Sequence, residues 1–471
     1  MNNLYNKLKK YSKKNVIPMH MPGHKRNIKM LSKKLPYDID ITEINDFDDL
    51  HHPEGIIKNI QDKAIKLYKS KKSYILVNGS TCGILAGIRA VIKPHDKILI
   101  ARNCHKSVYN AIELNSLIPI YVSPKIDEFG INKGIDKEDI KKALEENKDI
   151  KLVVITSPTY EGVISNIKEI SEVVHKYNIP LLVDEAHGAH LNFDKELKKY
   201  EALNSNADIV IQSFHKTLPS LTQTAIIHIN GNIVDTNKIE KNLAIFETSS
   251  PSYILMSSIE ECMDILENKS EELFYKYRLN LDKFYKDIRV LKNLKILGNE
   301  IEKDDIYDKG KIVITTKDTN INGQKLASIL REKYKIEVEM AYTNYVIAMT
   351  SICDKKKNFR KLAKALLEID KNIKQIAKIE RNLEETDQSI PEKNLEIYET
   401  IEKKNIKKIG YKEAEGKISN EYIFVYPPGI PFIVPGEIIG KKEIAKLENF
   451  LSNDIEIRTT SNSFPKIEII N

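Results

Sequence analysis

Ser213-Phe214-His215-Lys216 decides how this chain is read. The stretch follows Ile209-Val210-Ile211, an unbroken apolar run that predicts a strand buried on both faces. Lys216 therefore stands just past a strand end, where a long amine reaches into a site rather than out to solvent. Upstream, Leu181-Leu182-Val183 predicts a second buried strand, and it ends in Asp184-Glu185-Ala186-His187. Further short apolar runs lie at 74–77, 98–100, 118–122, 152–155 and 225–229, with helical patterns such as 167–177 between most of them. Buried strands alternating with helices predict an α/β domain with a mostly parallel sheet. Ligands of such sheets bind beyond the carboxyl ends of the strands. Asn78, Arg102, Ser157, Asp184 and Ser213 each fall just after a run.

An acid at one strand end and a lysine at another are what pyridoxal 5'-phosphate (PLP) requires. The lysine condenses with the aldehyde as a Schiff base. The acid, Asp184, keeps the ring nitrogen protonated, so the ring withdraws electrons. Asn78-Gly79-Ser80-Thr81-Cys82-Gly83 sits between a strand and a helix. Small hydroxyl residues there expose backbone N–H groups to an anion, which makes Ser80 and Thr81 candidate phosphate ligands. The same residues also cap helices that bind nothing. Ser213 and His215 are placed to donate to that phosphate. His105, in Arg102-Asn103-Cys104-His105-Lys106, reads either as a helix-start histidine or as an imidazole stacked on the cofactor ring. Asp184-Glu185-Ala186-His187 also resembles the DEAH segment of ATP-dependent helicases, but the chain has no Walker A loop. His187 and His190 have HxxH spacing without an evident third ligand, so no metal is expected.

Bulk properties exclude several classes. Hydrophobic content of 41% with 30% charged residues fits a soluble globular protein, and 471 residues exceed one ordinary core. The net charge of +7 is small and the signs alternate along the chain, so no nucleic-acid partner is expected. No apolar run approaches the ~20 residues needed to cross a bilayer, so no membrane span is expected. Four dispersed cysteines without CxxC spacing fit reduced thiols and a cytoplasmic location. Composition divides the chain into a turn-rich N-terminal arm at 1–58, a PLP-binding large domain at 59–252, a linker helix with a small α+β domain at 253–375, and a C-terminal domain at 376–471. The arm is poor in periodic apolar positions and is expected to gain order by packing on another surface.

With those residues in place, the chain resembles the fold-type I (aspartate aminotransferase-like) PLP enzymes. Within them it is similar to the ornithine/lysine/arginine decarboxylase family in its short Gram-positive form. Met21-Pro22-Gly23-His24-Lys25, Asp48-Asp49-Leu50-His51, Asp184-Glu185-Ala186-His187-Gly188 and Ser213-Phe214-His215-Lys216 carry the resemblance. So do Thr248-Ser249-Ser250-Pro251-Ser252-Tyr253, Tyr426-Pro427-Pro428-Gly429-Ile430-Pro431 and Pro435-Gly436-Glu437. It implies that Lys216 carries the cofactor, Asp184 pairs with its ring nitrogen and His105 stacks on it. It further implies that Ala186 and His187 lie on the other ring face, and that Thr248 or Ser249 reaches the phosphate of a neighbouring subunit.

The implied activity is decarboxylation of a basic L-amino acid to its amine and carbon dioxide, in polyamine biosynthesis. Arginine is expected first, lysine second and ornithine third. A homodimer or higher homo-oligomer with shared sites is implied. The receiver-like wing of the large acid-induced relatives is absent, which favours a biosynthetic role. Lys216 and His215 are the candidates to return a proton to the α-carbon. Glu437, Asp46 and Asp48 are the candidate carboxylates for the basic end of the substrate. The alternatives are another fold-type I enzyme, such as an aminotransferase or an oxoamine synthase, and a cofactor-free binding protein.

Overall fold

A computed structural model describes residues 3–14, 21–22, 25, 30, 35–298, 306–376 and 390–471. Gly23 and His24 of the first motif lie outside the described residues, as do residues 377–389. Seven strands form the central sheet: β1 (Lys72–Leu76), β2 (Lys97–Ala101), β3 (Ile118–Val122), β4 (Ile150–Thr156), β5 (Leu181–Asp184), β6 (Ile209–Ser213) and β7 (Ala225–Ile229). Their order is β1-β7-β6-β5-β4-β2-β3. β7 alone runs opposite to the other six. Each apolar run of the sequence became one of these strands. Leu181, Leu182, Val183, Ile209, Val210 and Ile211 are fully buried, as strands covered on both faces must be.

Helices join the strands, and close seating fixes where they begin. Helix α1 spans Leu4–Ser12, α2 Ile56–Tyr68, α3 Gly79–Val91 and α4 Lys106–Leu114. Gly79, at φ +75°, turns the chain from β1 into α3. A Cβ on Gly83 would stand 2.8 Å from Leu76 Cδ1 and 3.2 Å from Ile211 Cγ2. Only glycine therefore lets the start of α3 lie directly on β1 and β6, beside the end that carries Ser213.

The N-terminal arm departs from expectation. It contains a helix, α1, capped by the Asn3 side chain, which accepts from Asn6 N. Leu4 and Leu8 are buried, and Leu4 N donates to Glu260 Oε2 at 2.7 Å on the long helix Tyr253–Asp287. Phe47 packs edge-on against Tyr253 at 6.3 Å. The arm thus gains order on its own chain. Ile39, Ile41, Phe47 and Leu50 are buried with Leu4 and Leu8, so the packing of scattered apolar side chains, not a regular stripe, holds the arm.

Beyond that helix lies a four-stranded antiparallel sheet, in the order Met340–Ala341, Tyr345–Met349, Lys311–Thr315, Lys295–Ile296. Helices Gly323–Tyr334 and Lys356–Asp370 accompany it. The C-terminal part holds two three-stranded sheets and the helix Lys441–Ser452 around a core that includes Ile423, Ile433, Leu447 and Ile467. No helix among the described residues is long and apolar enough to cross a membrane.

Candidate active site

The parallel strands deliver their carboxyl ends to one edge of the sheet, and the polar residues gather there. Asp184 closes β5 and is only 3% exposed. Its Oδ1 accepts from Ala186 N at 3.2 Å. Burial raises its carboxyl above the ordinary range, and the Lys216 charge opposes that rise. Lys216 lies in the single turn Phe214–Thr217 after β6. Burial lowers its amine, while Asp184 and Glu339 pull it back up. The two residues are thus charge partners across adjacent strand ends.

Four histidine and serine candidates lie around this pair. Ser80 Oγ and Ser213 Oγ are 2.6 Å apart, joining the first turn of α3 to the end of β6. Thr81 is on the exposed side of the same turn. His215 Nδ1 donates to the Thr224 carbonyl at 2.9 Å, which fixes its ring against β7. His105 caps α4, with Nδ1 2.9 Å from Ser107 Oγ. Burial, then the charges of Lys216 and Lys106, push His105 down to about 4. A strap from the C-terminal part covers it. Lys106 N donates to Gly429 O at 3.1 Å, and a Cβ on Gly429 would stand 3.4 Å from His105 Nε2.

His187 is 6% exposed and touches two amines. Its Nε2 is 3.1 Å from Lys216 Nζ, and its Nδ1 is 2.6 Å from Lys311 Nζ. Ala186, beside it, is buried. Lys311 comes from the four-stranded sheet, and sequence reading missed it. Its run, Lys311–Thr315, reads as an ordinary strand of a separate unit, and nothing in its spacing ties it to residue 187. The available signal was a lysine heading an otherwise apolar strand. His190 Nε2 pairs with Asp308 at 3.1 Å, so the HxxH histidines face different partners. Glu185 turns away from the site, into a buried carboxyl pair. Gln212 Nε2 donates to Glu185 Oε2 at 2.7 Å and to Glu201 Oε1 at 3.3 Å.

The remaining candidates are distributed differently from expectation. Glu437 is 1% exposed and closed within the chain. Arg102 donates to both its oxygens at 3.2 and 3.1 Å, and Val434 N donates to Oε2 at 2.8 Å. Burial pushes the carboxyl up to about 7 against the pull of Arg102. Arg102 also holds the Pro431 carbonyl at 2.8 Å, so this pair ties the C-terminal strap to β2 instead of facing a substrate. Asp48 is likewise occupied. Its carboxylate accepts from the backbone N–H of Glu54, Gly55 and Ile57, a cap over the start of α2. Asp46 is exposed on the arm, at φ +73°. Thr248 and Ser249 are on the surface of the chain's own fold, and His51 Nε2 donates to the Thr248 carbonyl at 2.9 Å. Two motifs nearly two hundred residues apart therefore meet.

A cavity of about 1090 Å³ opens beside this centre, lined by Arg102, Asn103, Glu161, Tyr345 and Pro428 among others. Its lining includes neither His105 nor Lys216. The arrangement offers a half-buried amine, a buried carboxyl at the adjacent strand end and paired hydroxyls at a helix N-terminus. That is a donor set for an aldehyde that also carries a phosphate.

Comparison with known proteins points the same way. The family model described as Orn/Lys/Arg decarboxylase, major domain, matches residues 2–298, and that family's C-terminal domain matches 378–467. An arginine decarboxylase of Bacillus subtilis is 32% identical over 472 residues, covering 98% of this chain and 96% of its own. The constitutive lysine decarboxylase of Escherichia coli is 27% identical over 245 residues, covering 50% of this chain and 34% of its own. Among solved structures, a Francisella novicida lysine decarboxylase superposes with a TM-score of 0.83 at 20% identity, over 100% of this chain and 81% of that one. A Sphingomonas wittichii serine palmitoyltransferase matches at 0.54 and 15% identity, over 67% of this chain and 76% of its own.

Proposed function

The chain belongs to the Orn/Lys/Arg decarboxylase family, and from that premise we propose that it removes carbon dioxide from arginine with PLP as cofactor. Lysine is the second choice of substrate and ornithine the third. The preference for arginine rests on the Bacillus subtilis relative, which aligns over nearly the whole chain, whereas the Escherichia coli lysine enzyme aligns over half of it. The observation that carries the reading is the half-buried Lys216 amine, held on His187 and acting by its charge on buried Asp184 at the adjacent strand end.

The residues fit the cofactor. When bound, PLP supplies an aldehyde for an amine and a ring that accepts the electron pair left by departing carbon dioxide. Burial favours the neutral Lys216 amine, the form able to attack an aldehyde. Asp184 offers a carboxylate to a protonated ring nitrogen, and its burial keeps that interaction unscreened by water. The Ser80 and Ser213 hydroxyls, with the first N–H groups of α3, would hold the phosphate. His105, fixed by Ser107 and roofed by Gly429, presents a flat face and excludes water. His187 and Ala186 bound the opposite side. His105, His187 and Ala186 would thus hold the bound group and substrate in one orientation, and fixing reactants in place is itself catalytic.

For the basic end of the substrate we assign Glu339, since Glu437 and Asp48 are engaged within the chain. Glu339 Oε1 accepts from Tyr160 OH at 2.6 Å and its charge acts on both Lys216 and Lys311. Asp46 could add a second carboxylate from a neighbouring subunit. The site would be completed across a homodimer, with Thr248 and Ser249 reaching the partner's phosphate. Four unpaired cysteines support placing the enzyme in the cytoplasm.

Carbon dioxide release from arginine, lysine and ornithine tests the substrate. Arginine should lead by about tenfold in kcat/KM or more, a margin of ~1.4 kcal/mol. Faster turnover of lysine would reverse the order. Borohydride reduction followed by peptide mass spectrometry should place the trapped cofactor on Lys216, and Lys216→Ala should abolish both trapping and turnover. Trapping on another lysine would overturn the site. Transamination on adding a keto acid would point to an aminotransferase instead.

A further inference from the structure

Lys311 has no part in the reading above, yet it is 1% exposed and lies within two hydrogen bonds of Lys216. We infer that Lys311 is a positioning residue for Lys216 that works through His187, taking up the Lys216 proton and returning it along a chain of three side chains. The inference rests on Lys216 being the cofactor lysine.

The geometry sets the chain. Lys216 Nζ is 3.1 Å from His187 Nε2, and Lys311 Nζ is 2.6 Å from His187 Nδ1. The Lys311 stem is clamped, because a Cβ on Gly162 would stand 2.8 Å from both its Cβ and its Cγ. Met349 Sδ is 3.4 Å from its amine. The nearby carboxylate of Asp308 is spent on His190 at 3.1 Å, and no ion pair among the described residues includes Lys311. Its close polar partner is therefore the imidazole. A methionine would fill this space without burying an amine, so packing does not account for the choice of lysine.

A neutral imidazole carries one proton, and its two nitrogens cannot both donate. If Lys311 is an ammonium, it donates to Nδ1. The ring proton is then on Nε2, which donates to a neutral Lys216. If Lys216 is the ammonium, it donates to Nε2, and Nδ1–H donates to a neutral Lys311. The two states interconvert by two proton hops, Lys216 Nζ to Nε2 and Nδ1 to Lys311 Nζ. No charge is gained or lost. The chain thus holds one excess proton that can sit at either end.

The surroundings allow the exchange near neutrality. Burial lowers Lys311 to about 7, with Asp308 opposing and Lys216 adding to the fall; Glu339 and Glu161 also pull it upward. Burial, then Lys216, Lys311, His105 and His215, hold His187 well below its usual range, so the ring carries a second proton only in passage. Asp184 and Glu339 are the carboxylates acting on Lys216. A free Lys216 amine is needed neutral to take the cofactor and protonated to give a proton back. The relay supplies both forms by moving one proton between the two amines.

The test reads Lys216 directly. In the cofactor-free full chain, trace acetylation across pH 5–10 with mass spectrometry of the Lys216 peptide gives the titration of its amine. Lys311→Met should slow Lys216 labelling at pH 7 by about tenfold, one unit of upward shift, because the competing amine is gone. Lys311→Arg keeps the charge but cannot release a proton. It should leave labelling as fast as in the wild type, while kcat of the holoenzyme falls roughly a hundredfold. In a His187→Gln background, Lys311→Met should retain less than about a third of its effect, as expected of residues acting as one unit.

An unmoved Lys216 curve in Lys311→Met, or an equal shift in the His187→Gln background, would overturn the relay. If Lys311→Met melts early, Lys311→Arg still decides the matter, since wild-type kcat with a permanent charge at 311 would also overturn it. Borohydride trapping separates the two failures. Cofactor trapped on Lys216 with an unmoved curve removes only the role of Lys311, whereas trapping elsewhere removes the reading beneath it.

Discussion

Asp184 is surrounded by protein and held by Ala186 N, so Asp184→Asn changes a charge and little else. Neutral asparagine cannot stabilise a positive ring nitrogen, and we expect kcat to fall at least ~100-fold with PLP still bound, checked by carbon dioxide release beside the cofactor absorbance. Glu339→Gln belongs to the same scale. It should raise KM for arginine about tenfold with a smaller change in kcat, since it removes binding common to ground and transition states; unchanged KM would move recognition elsewhere. The residues legible in the sequence were those whose own strand announced them, Asp184 after Leu181-Leu182-Val183 and Lys216 after Ile209-Val210-Ile211. Glu437 and Asp48 were visible as acids but not as engaged acids. Arg102 lies 335 residues from Glu437, and a cap depends on where a helix starts. Lys311 was silent because its meaning comes from a contact 124 residues away in sequence.

Helix α3 shows how an element transmits sequence to site. Its N-terminus is beside Ser213 because Gly83 permits contact with Leu76 and Ile211. Gly83→Ala should therefore cost about 1–3 kcal/mol from overpacking, despite the better helix propensity of alanine. It should also weaken PLP retention, read by dialysis and by the thermal midpoint; tight PLP with a wild-type midpoint would show that the helix seat has slack. The strands of the large sheet were legible because burial on both faces leaves an unbroken apolar signature. Helix α1 was not legible. Leu4 and Leu8 make a stripe too short to stand out, and the Tyr253–Asp287 surface that stabilises it is encoded some 250 residues later.

At the scale of the whole molecule, buried carboxyls and shared surfaces govern behaviour. Burial raises Glu201 to about 7 from an unfolded value near 4.5. Its folded pKa is the higher one, so its contribution to stability is full below ~4.5 and is lost as pH rises through about 7. Wild type should lose roughly 1–3 kcal/mol from this group between pH 5 and 8. Glu201→Gln should flatten the thermal midpoint across that window, and an unchanged slope would assign the loss to other groups. Assembly is tested by complementation. Lys216→Ala mixed with a Thr248→Ala/Ser249→Ala variant should regain activity above either parent after subunit exchange; no gain after verified exchange would confine each site to one chain. The Gly429 strap has a consequence for synthesis. The seventh strand of the sheet leaves the ribosome roughly 200 residues before the segment that roofs His105, a delay of about 10–40 s. A nascent chain therefore passes through a stage with every large-domain ligand folded and the imidazole face still wet. The segment that roofs the imidazole is thus the later product of translation, made after every strand that supports the centre.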